Sequence, residues 1–245
     1  MQWTIHRFET MDTTMREAAE RAERSEPAGT VVVADQQTAG RGRLGRSWAS
    51  ERGTGLYCSL VLRPRLPAVE APVVTLALGL AVGRALHRVC GVACDLRWPN
   101  DVLLRGRKCC GILTEMTAAG DHVRHIIAGI GVNVNQEAFP EELRETATSL
   151  RIETGCEYSR EALLGEILAE VQRYLEVIEE RGAGAIVELF TRASSYAAGK
   201  RVAVVNEGSE MRGVTAGLTG AGMLLLRRDD GTLTPIVAGS VRPME

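Results

Sequence analysis

Residues 40–48 read Gly-Arg-Gly-Arg-Leu-Gly-Arg-Ser-Trp, and the segments on either side of this stretch decide the fold class. Its glycines match the GxGxxG of a dinucleotide-binding fold and come close to a P-loop, but both motifs need a helix directly after the glycines. Here a β-branched run at residues 30–34 precedes the stretch, and residues 56–62 predict a second strand after it. Arg46 also stands where a P-loop has its lysine. This context excludes both phosphate-binding folds.

The same stretch, called the arginine loop below, has a third interpretation as a flexible loop that carries fixed positive charge. Arg41, Arg43 and Arg46 are always protonated and present forked donors that suit carboxylates and phosphates. The glycines between them let the backbone approach an anion closely. Such a loop can close over a triphosphate or an acyl-adenylate and exclude water. The alternative is a solvated surface loop without function, which charge runs usually are.

Hydrophobic periodicity elsewhere predicts an α+β fold, in which a mixed β-sheet with helices is followed by a small β-barrel. Helices are predicted at residues 14–22, where Thr14 and Glu17 form a capping box, and at 73–89, 159–180 and 185–196. The predicted strands are 2–8, 30–34, 56–62, 96–98, 102–104, 108–116, 123–134, 201–205, 212–218, 223–228 and 233–237. Near residue 197 the pattern changes from helices to short alternating strands, which predicts two domains, at 1–196 and 197–245.

Trp98, Pro99, Asn100 and Asp101 follow one predicted strand directly. Pro99 fixes a turn, so Asn100 and Asp101 are expected at its tip. An aspartate at a strand end beside an arginine loop is a natural oxygen ligand for Mg²⁺. The alternative is a simple turn, because these are ordinary turn residues.

Two later segments also carry chemistry. Lys108 opens an apolar strand, where it is either a solvated edge residue or an inward-facing cation that orients a carboxylate. Gly111 in mid-strand indicates close approach of a ligand or backbone. Gly129 and Gly131 alternate before Asn133, which leaves one face of that strand bare for a flat ligand.

Composition narrows the function classes. The formal net charge of −2 gives no basic surplus of the kind that nucleic-acid-binding proteins carry. The six cysteines form no CxxC pair, so we expect reduced thiols used as small apolar residues and no zinc site. No signal peptide is visible, and the apolar stretch at 73–82 is too short to span a bilayer, so the expected compartment is the cytoplasm.

Taken together, four ordered segments resemble the biotin–protein ligase family over essentially the whole chain. Residues 40–48 match its GRGRxGR-x-W loop, and Gln37 before the loop also fits. Residues 98–101 match WPND, 108–115 match K-x-x-GIL-x-E, and 129–133 match G-x-G-x-N. The resemblance implies a catalytic domain related to class II synthetases, followed by a small SH3-like β-barrel.

The resemblance also implies two half-reactions that consume biotin and ATP with Mg²⁺. Biotin carboxylate attacks the α-phosphate of ATP to give biotinyl-5′-AMP, and a lysine of the biotin carboxyl carrier protein of acetyl-CoA carboxylase then attacks the adenylate. Asp101 is the implied metal ligand and a helper in removing the proton of the incoming lysine. The implied catalytic residues are Arg43, Asp101 and Lys108; the implied biotin contacts are Thr13, Thr14, Gln37, Gly40, Arg41, Arg43, Lys108 and Gly111; the implied ATP contacts are Arg43, Arg46, Trp48, Asn100 and Asn133.

The sequence departs from the family pattern in two places. Met15 stands where an asparagine is usual, which puts one polar biotin contact in doubt, and Ser240 replaces a usual glutamate. The chain is expected to lack the winged-helix DNA-binding domain of some relatives, so no DNA or membrane partner is expected, and the family contains monomers and homodimers. The alternative functions are a lipoate–protein ligase of the same fold and a non-catalytic biotin sensor.

Overall fold

The computed structural model describes residues 1–206 and 208–244 and contains two β-sheets with helices packed around the first. In chain order the elements are β1 (Thr4–Met11), α1 (Thr14–Glu23), β2 (Thr30–Gln37), β3 (Gly55–Leu62), α2 (Pro72–Cys90), β4 (Asp95–Arg97), β5 (Asp101–Leu104), β6 (Arg107–Ala119), β7 (His122–Asn133), α3 (Glu141–Arg144), α4 (Leu150–Thr154), α5 (Arg160–Arg181), α6 (Ala183–Ala193), β8 (Ala198–Asn206), β9 (Ser209–Leu218), β10 (Leu224–Arg227), β11 (Leu233–Ile236) and β12 (Ser240–Pro243).

The first sheet has seven strands in the order β1-β2-β3-β7-β6-β5-β4. Only the β1–β2 pair is parallel among the described strands, and the other pairs of this sheet are antiparallel. The sheet is therefore mixed, as predicted. Helix α1 covers one face near β2, β3 and β7, while α2, α5 and α6 cover the other.

Side-chain alternation along the central strands explains why both faces are covered. Every residue of β3 is buried, so other apolar side chains must pack against both faces of this strand. On the α1 face, Met15 and Ala18 pack with Val61 and Ile127 in a small cluster. The larger cluster lies on the opposite face beneath α2 and α5. The small cluster leaves part of the α1 face free for polar side chains.

Helix α2 is the central core helix of the larger cluster. Pro72 occupies its first turn, and Gly91 ends it with a left-handed φ of 70°. By length and composition alone the helix could cross a membrane. The apolar stretch at residues 73–82 therefore underestimated the length of the apolar helix. However, 72% of its apolar window is buried inside the protein. Packing in the protein core therefore explains why this helix is so apolar.

The hairpin between β5 and β6 closes with a two-residue turn. Arg105 and Gly106 both have positive φ, at 48° and 82°, as a two-residue type I′ hairpin turn requires. The register places Asp101 opposite Gly111, with a shift of pairing between Val102 and Leu103. This hairpin brings two of the predicted site segments to neighbouring strands.

The second sheet has five antiparallel strands in the order β11-β10-β9-β8-β12. It agrees with the predicted small β domain, although the last strand, Ser240–Pro243, was not predicted. Val202, Leu224 and Ile236 belong to the same apolar cluster as α2, so the two sheets share one continuous core. The boundary at residues 196 and 197 stays a prediction.

One helix prediction was wrong at its cap, and two short helices were missed. Helix α1 is capped by Thr13, whose hydroxyl accepts from the Met15 N–H, so the predicted capping box lay one residue too late. Ser149 caps the short helix α4, and neither α3 nor α4 was predicted, because four or five residues give too few turns for a periodic pattern.

Candidate functional site

The first part of the site is a chain of hydrogen bonds from the start of α1 to β2 and β3. Gln37 Oε1 accepts from Thr14 N at 2.8 Å and from Thr14 Oγ1 at 3.2 Å. The Thr14 hydroxyl lies 2.7 Å from Ser59 Oγ, and Gln37 Nε2 donates to Ser50 Oγ at 2.9 Å. The structure thus brings Thr13, Thr14 and Gln37 together. Ser50 and Ser59 were not predicted as site residues. For Ser59, a serine on the α1 side of an otherwise apolar strand was a signal that could have indicated a polar contact.

The arginine loop folds back on itself as a tight hairpin. Trp48 N donates to Gly40 O at 2.9 Å, and Gly42 N donates to Arg46 O at 2.7 Å. Leu44 at the tip has a left-handed φ of 56°. Gly40 is buried against the Trp48 carbonyl and the Ser50 hydroxyl, so a side chain there has no room. The predicted loop therefore has a defined backbone.

Arg43 is the arginine of this loop that reaches the rest of the site. Its Nη1 donates to Asn100 Oδ1 at 2.9 Å and to the Gly239 carbonyl in the second sheet at 3.2 Å. Burial lowers the pKa of the Arg43 guanidinium while nearby Asp101 raises it, but arginine remains charged at any accessible pH. Arg43 also lines a cavity of about 300 Å³ beside Trp98. A fixed cation therefore faces an open space large enough for a phosphate group.

The other two arginines of the loop lie farther out. Arg41 Nη2 is 3.3 Å from Glu115 Oε1, and both side chains are about half exposed. The Arg46 side chain is exposed and makes no hydrogen bond or ion pair with the described part of the chain, although its backbone closes the loop hairpin. An arriving anion can therefore recruit both without disrupting a buried contact.

A partly buried triad of ion-paired side chains forms the centre of the site. Lys108 Nζ lies 2.6 Å from Asp101 Oδ1, and Arg97 Nη2 lies 2.8 Å from Asp101 Oδ2. Burial alone would raise the pKa of Asp101, but Lys108 and Arg97 together hold it below its usual value. Lys108 thus faces inward toward a carboxylate, and the solvated-edge alternative is wrong. Arg97 was missed as a partner.

The pairing of Asp101 bears on two roles expected for it. A carboxylate with a lowered pKa is a weak base, so the geometry favours charge compensation over proton removal. Both oxygens already face cations, and within residues 1–206 and 208–244 no group of three His, Cys, Asp or Glu side chains is placed to hold a metal ion. The role of Asp101 as a metal ligand stays a prediction.

Paired glycines of β6 and β7 form the floor of the site. Gly111 lies opposite Gly131 in the register, and Gly129 lies next along the same face. The floor was predicted to be bare, but Trp48 covers Gly111 and Gly131, and Met15 covers Gly129. Lys108 Nζ stands 5.3 Å from the centre of the Trp48 ring.

Trp48 Nε1 is buried without a hydrogen-bond partner among the described residues. A buried indole N–H normally has a partner, so its position on the floor leaves an unmet hydrogen bond. This makes the floor a place where a ligand with an acceptor atom gains a contact.

Asn133 lies at the end of β7 and is buried. Its Nδ2 donates to the Thr148 carbonyl at 3.0 Å, which fixes the orientation of the amide. The segment that contains Thr148 was not recognised from the sequence. Asn133 therefore shares one face of β7 with Gly129 and Gly131, because the three residues lie two positions apart along the strand.

Burial decides the character of most cysteines, and the larger cavity lies apart from the site residues. Burial raises the pKa of Cys58 and of Cys94 to about 12, so both behave as small apolar side chains, whereas Cys156 is exposed, contrary to the expectation for it. A cavity of about 600 Å³ between β1 and α5 has Asp35 and Arg160 in its lining, and none of its described lining residues belongs to the predicted site.

Comparisons with known proteins agree with the motifs. The family model described as "Biotin/lipoate A/B protein ligase family" matches residues 8–133. The bifunctional ligase/repressor BirA of Bacillus subtilis is 39% identical over 229 residues, which cover 91% of this chain and 69% of that protein. The biotin–[acetyl-CoA-carboxylase] ligase of Mycobacterium tuberculosis is 34% identical, over 87% of this chain and 78% of that protein.

A solved structure agrees with the fold over nearly the full length. The biotin protein ligase from Aquifex aeolicus in complex with biotin and ATP is 32% identical, with a TM-score of 0.83. The match covers 98% of this chain and 99% of that one. The mixed sheet and the small SH3-like second sheet are therefore those of a known architecture.

Proposed function

The chain belongs to the biotin/lipoate A/B protein ligase family, and from this premise we infer that it is an ATP-dependent biotin–protein ligase. The Mycobacterium tuberculosis relative is named as a biotin ligase, and the Aquifex aeolicus structure is a complex with biotin and ATP. Lipoate remains the other substrate class within the family description.

In the first half-reaction, an oxygen of the biotin carboxylate attacks the α-phosphorus of ATP. The bond between the α-phosphorus and the bridging oxygen breaks, and pyrophosphate leaves as biotinyl-5′-AMP forms. Thr13, Thr14, Gln37, Gly40 and Gly111 are assigned to biotin. Arg41, Arg43 and Lys108 are assigned to the negative charge shared by the carboxylate and the phosphate; Arg46, Trp48, Asn100 and Asn133 are assigned to the nucleotide. Such a transfer needs positioning and charge compensation more than a protein nucleophile.

In the second half-reaction, the ε-amine of an acceptor lysine attacks the acyl carbon and AMP leaves with its phosphate oxygen. The acceptor proposed here is the carrier domain of a biotin-dependent carboxylase, by analogy with the names of the relatives. Mg²⁺ is proposed to enter as the complex with ATP, where it neutralises phosphate charge. Asp101 keeps Lys108 beside the acyl phosphate in both steps.

The observation that carries this proposal is the position of Lys108, which is 2.6 Å from Asp101 and stands over the glycine floor. The test mixes the protein with ATP, Mg²⁺ and either biotin or lipoate and measures pyrophosphate release. Release with biotin alone supports the biotin ligase. Release only with lipoate identifies a lipoate ligase, and binding of biotin without release identifies a sensor.

A further inference from the structure

A buried glutamate behind the site takes no part in the chemistry described so far. The Glu153 side chain on α4 is only 2% exposed. Its carboxylate accepts from Thr148 Oγ1 at 2.6 Å and from Arg107 Nη2 at 2.7 Å, and Arg105 Nε lies 3.5 Å away. A buried carboxylate persists only when it is paired and hydrogen-bonded, so these partners fix Glu153 and Glu153 fixes them.

The segment held by Glu153 runs beside Lys108. Residues 146–148, called the clamp segment, contact both backbone polar groups of Lys108: Lys108 N donates to Thr146 O at 2.8 Å, and Thr148 N donates to Lys108 O at 2.9 Å. The β5–β6 ladder changes register at Val102, so the clamp segment supplies partners that β5 does not. The backbone on both sides of the Lys108 side chain is thereby fixed.

The same clamp segment also orients Asn133. The Thr148 carbonyl accepts from Asn133 Nδ2 at 3.0 Å, while the Thr148 hydroxyl donates to Glu153. One buried residue therefore connects Glu153 to Lys108 through its N–H and to Asn133 through its carbonyl. Movement of Thr148 must displace both site residues together.

We propose that Glu153 is a positioning residue for nucleotide activation, acting through Thr148 on Lys108 and Asn133. This inference rests on the proposed function, because it takes Asn133 as a nucleotide contact. Side chains that orient reacting groups matter strongly, since a misplacement of about 1 Å can cost about 100-fold in rate. Loss of the Glu153 charge weakens only one of the contacts that hold the clamp segment, so we expect a smaller effect on the kinetics, of about tenfold.

The test compares Glu153→Gln with a matched control, Glu170→Gln. Glu170 on α5 is the second buried glutamate of the described chain and is also paired with two arginines, Arg88 at 3.1 Å and Arg173 at 2.9 Å, but it does not contact the site. Both variants are expected to lose similar thermal stability. Only Glu153→Gln should raise the KM for ATP about tenfold and lower kcat for pyrophosphate release.

A second variant, Thr148→Val, removes the hydroxyl that links Glu153 to the clamp. It should reproduce the loss, and the double variant should lose little more than the worse single variant, because both break one connection. The proposal is overturned if Glu153→Gln and Glu170→Gln give the same KM and kcat. If the parent protein releases no pyrophosphate, the Kd for ATP alone is measured by calorimetry instead. A weaker ATP Kd in Glu153→Gln but not in Glu170→Gln supports the positioning role. Equal Kd values in the two variants refute it.

Discussion

Replacing Gly131 by alanine tests whether the glycine floor is the surface on which the ligand lies. A Cβ atom there would stand 2.6 Å from both Cε2 and Nε1 of Trp48, well inside the ordinary contact range that begins at 3.4 Å. The indole must therefore retreat by about 0.8 Å, the difference between these two distances. Backbone strain is not involved, because Gly131 has no positive φ.

The size of the effect differs for stability and for binding. Overpacking lowers the free energy of unfolding by about 1–3 kcal/mol. Replacing glycine by alanine restricts the unfolded chain, which raises the free energy of unfolding by about 0.5–1 kcal/mol. The net cost is at most about 2.5 kcal/mol, so the Tm should fall by no more than about 10 °C for a chain of this size. A bound ring displaced from the floor by a similar distance should lose on the order of 100-fold in kcat/KM.

The measurement is the calorimetric Kd of biotin together with pyrophosphate release, both below the Tm of the variant. The control is Gly165→Ala in α5, where an added Cβ meets nothing within 4 Å. It should raise stability by about 0.5–1 kcal/mol and leave binding unchanged. If Gly131→Ala binds biotin with the Kd of the parent and turns over at its rate, the floor is not the ligand surface.

Three further outcomes follow from the ion pairs. Lys108→Ala should lower adenylate formation by about 100-fold or more, while Lys200→Ala in the second sheet should not, and an unchanged rate in Lys108→Ala removes this residue from the mechanism. The folded-state pKa of Asp101 lies below its usual 3.8, so its ion pairs contribute stability that is complete above that pH and is lost as the pH falls through the folded value. Urea unfolding should therefore show a gap between the parent and Asp101→Asn that shrinks as the pH drops below about 4, and a constant gap contradicts the assigned pairing. Arg43→Lys should lose more activity than Arg46→Lys, about tenfold more, because a lysine does not reproduce the planar guanidinium whose Nη1 donates to both Asn100 and Gly239. Equal losses in pyrophosphate release argue against the placement of Arg43.

The main site segments could be predicted because each one follows a strand with a clear apolar pattern. The four motifs fixed the order of the strands in the chain, and neighbouring strands then brought Asp101 and Lys108 together. The hairpin turn at Arg105 and Gly106 was also predictable, since only a short polar pair separated two apolar runs. Local patterns were therefore sufficient where the contact lies between adjacent strands.

Contacts between distant segments could not be predicted. The sequence contains the bare floor of Gly111 and Gly131, but it does not show that Trp48 folds back over it. Likewise, Glu153 sits in a five-residue helix with no periodic signal, and its partner Arg107 is far away in the chain. Such contacts depend on tertiary packing, which single-sequence patterns do not encode.

The Lys108–Asp101 pair has a consequence for the protein's own surface. A mixed anhydride reacts with any amine that has a free lone pair, and the ligase makes this reagent within reach of its own lysine. Lys108 Nζ lies 2.6 Å from Asp101 Oδ1, and an ammonium group in such a pair has no lone pair with which to attack. Lys108 and Lys200 are the two lysines of a chain in which lysine and arginine together number 29, so arginine provides almost all of its basic charge. The chain is thereby a poor target for self-acylation, and the activated acyl group is kept for an amine that another protein brings.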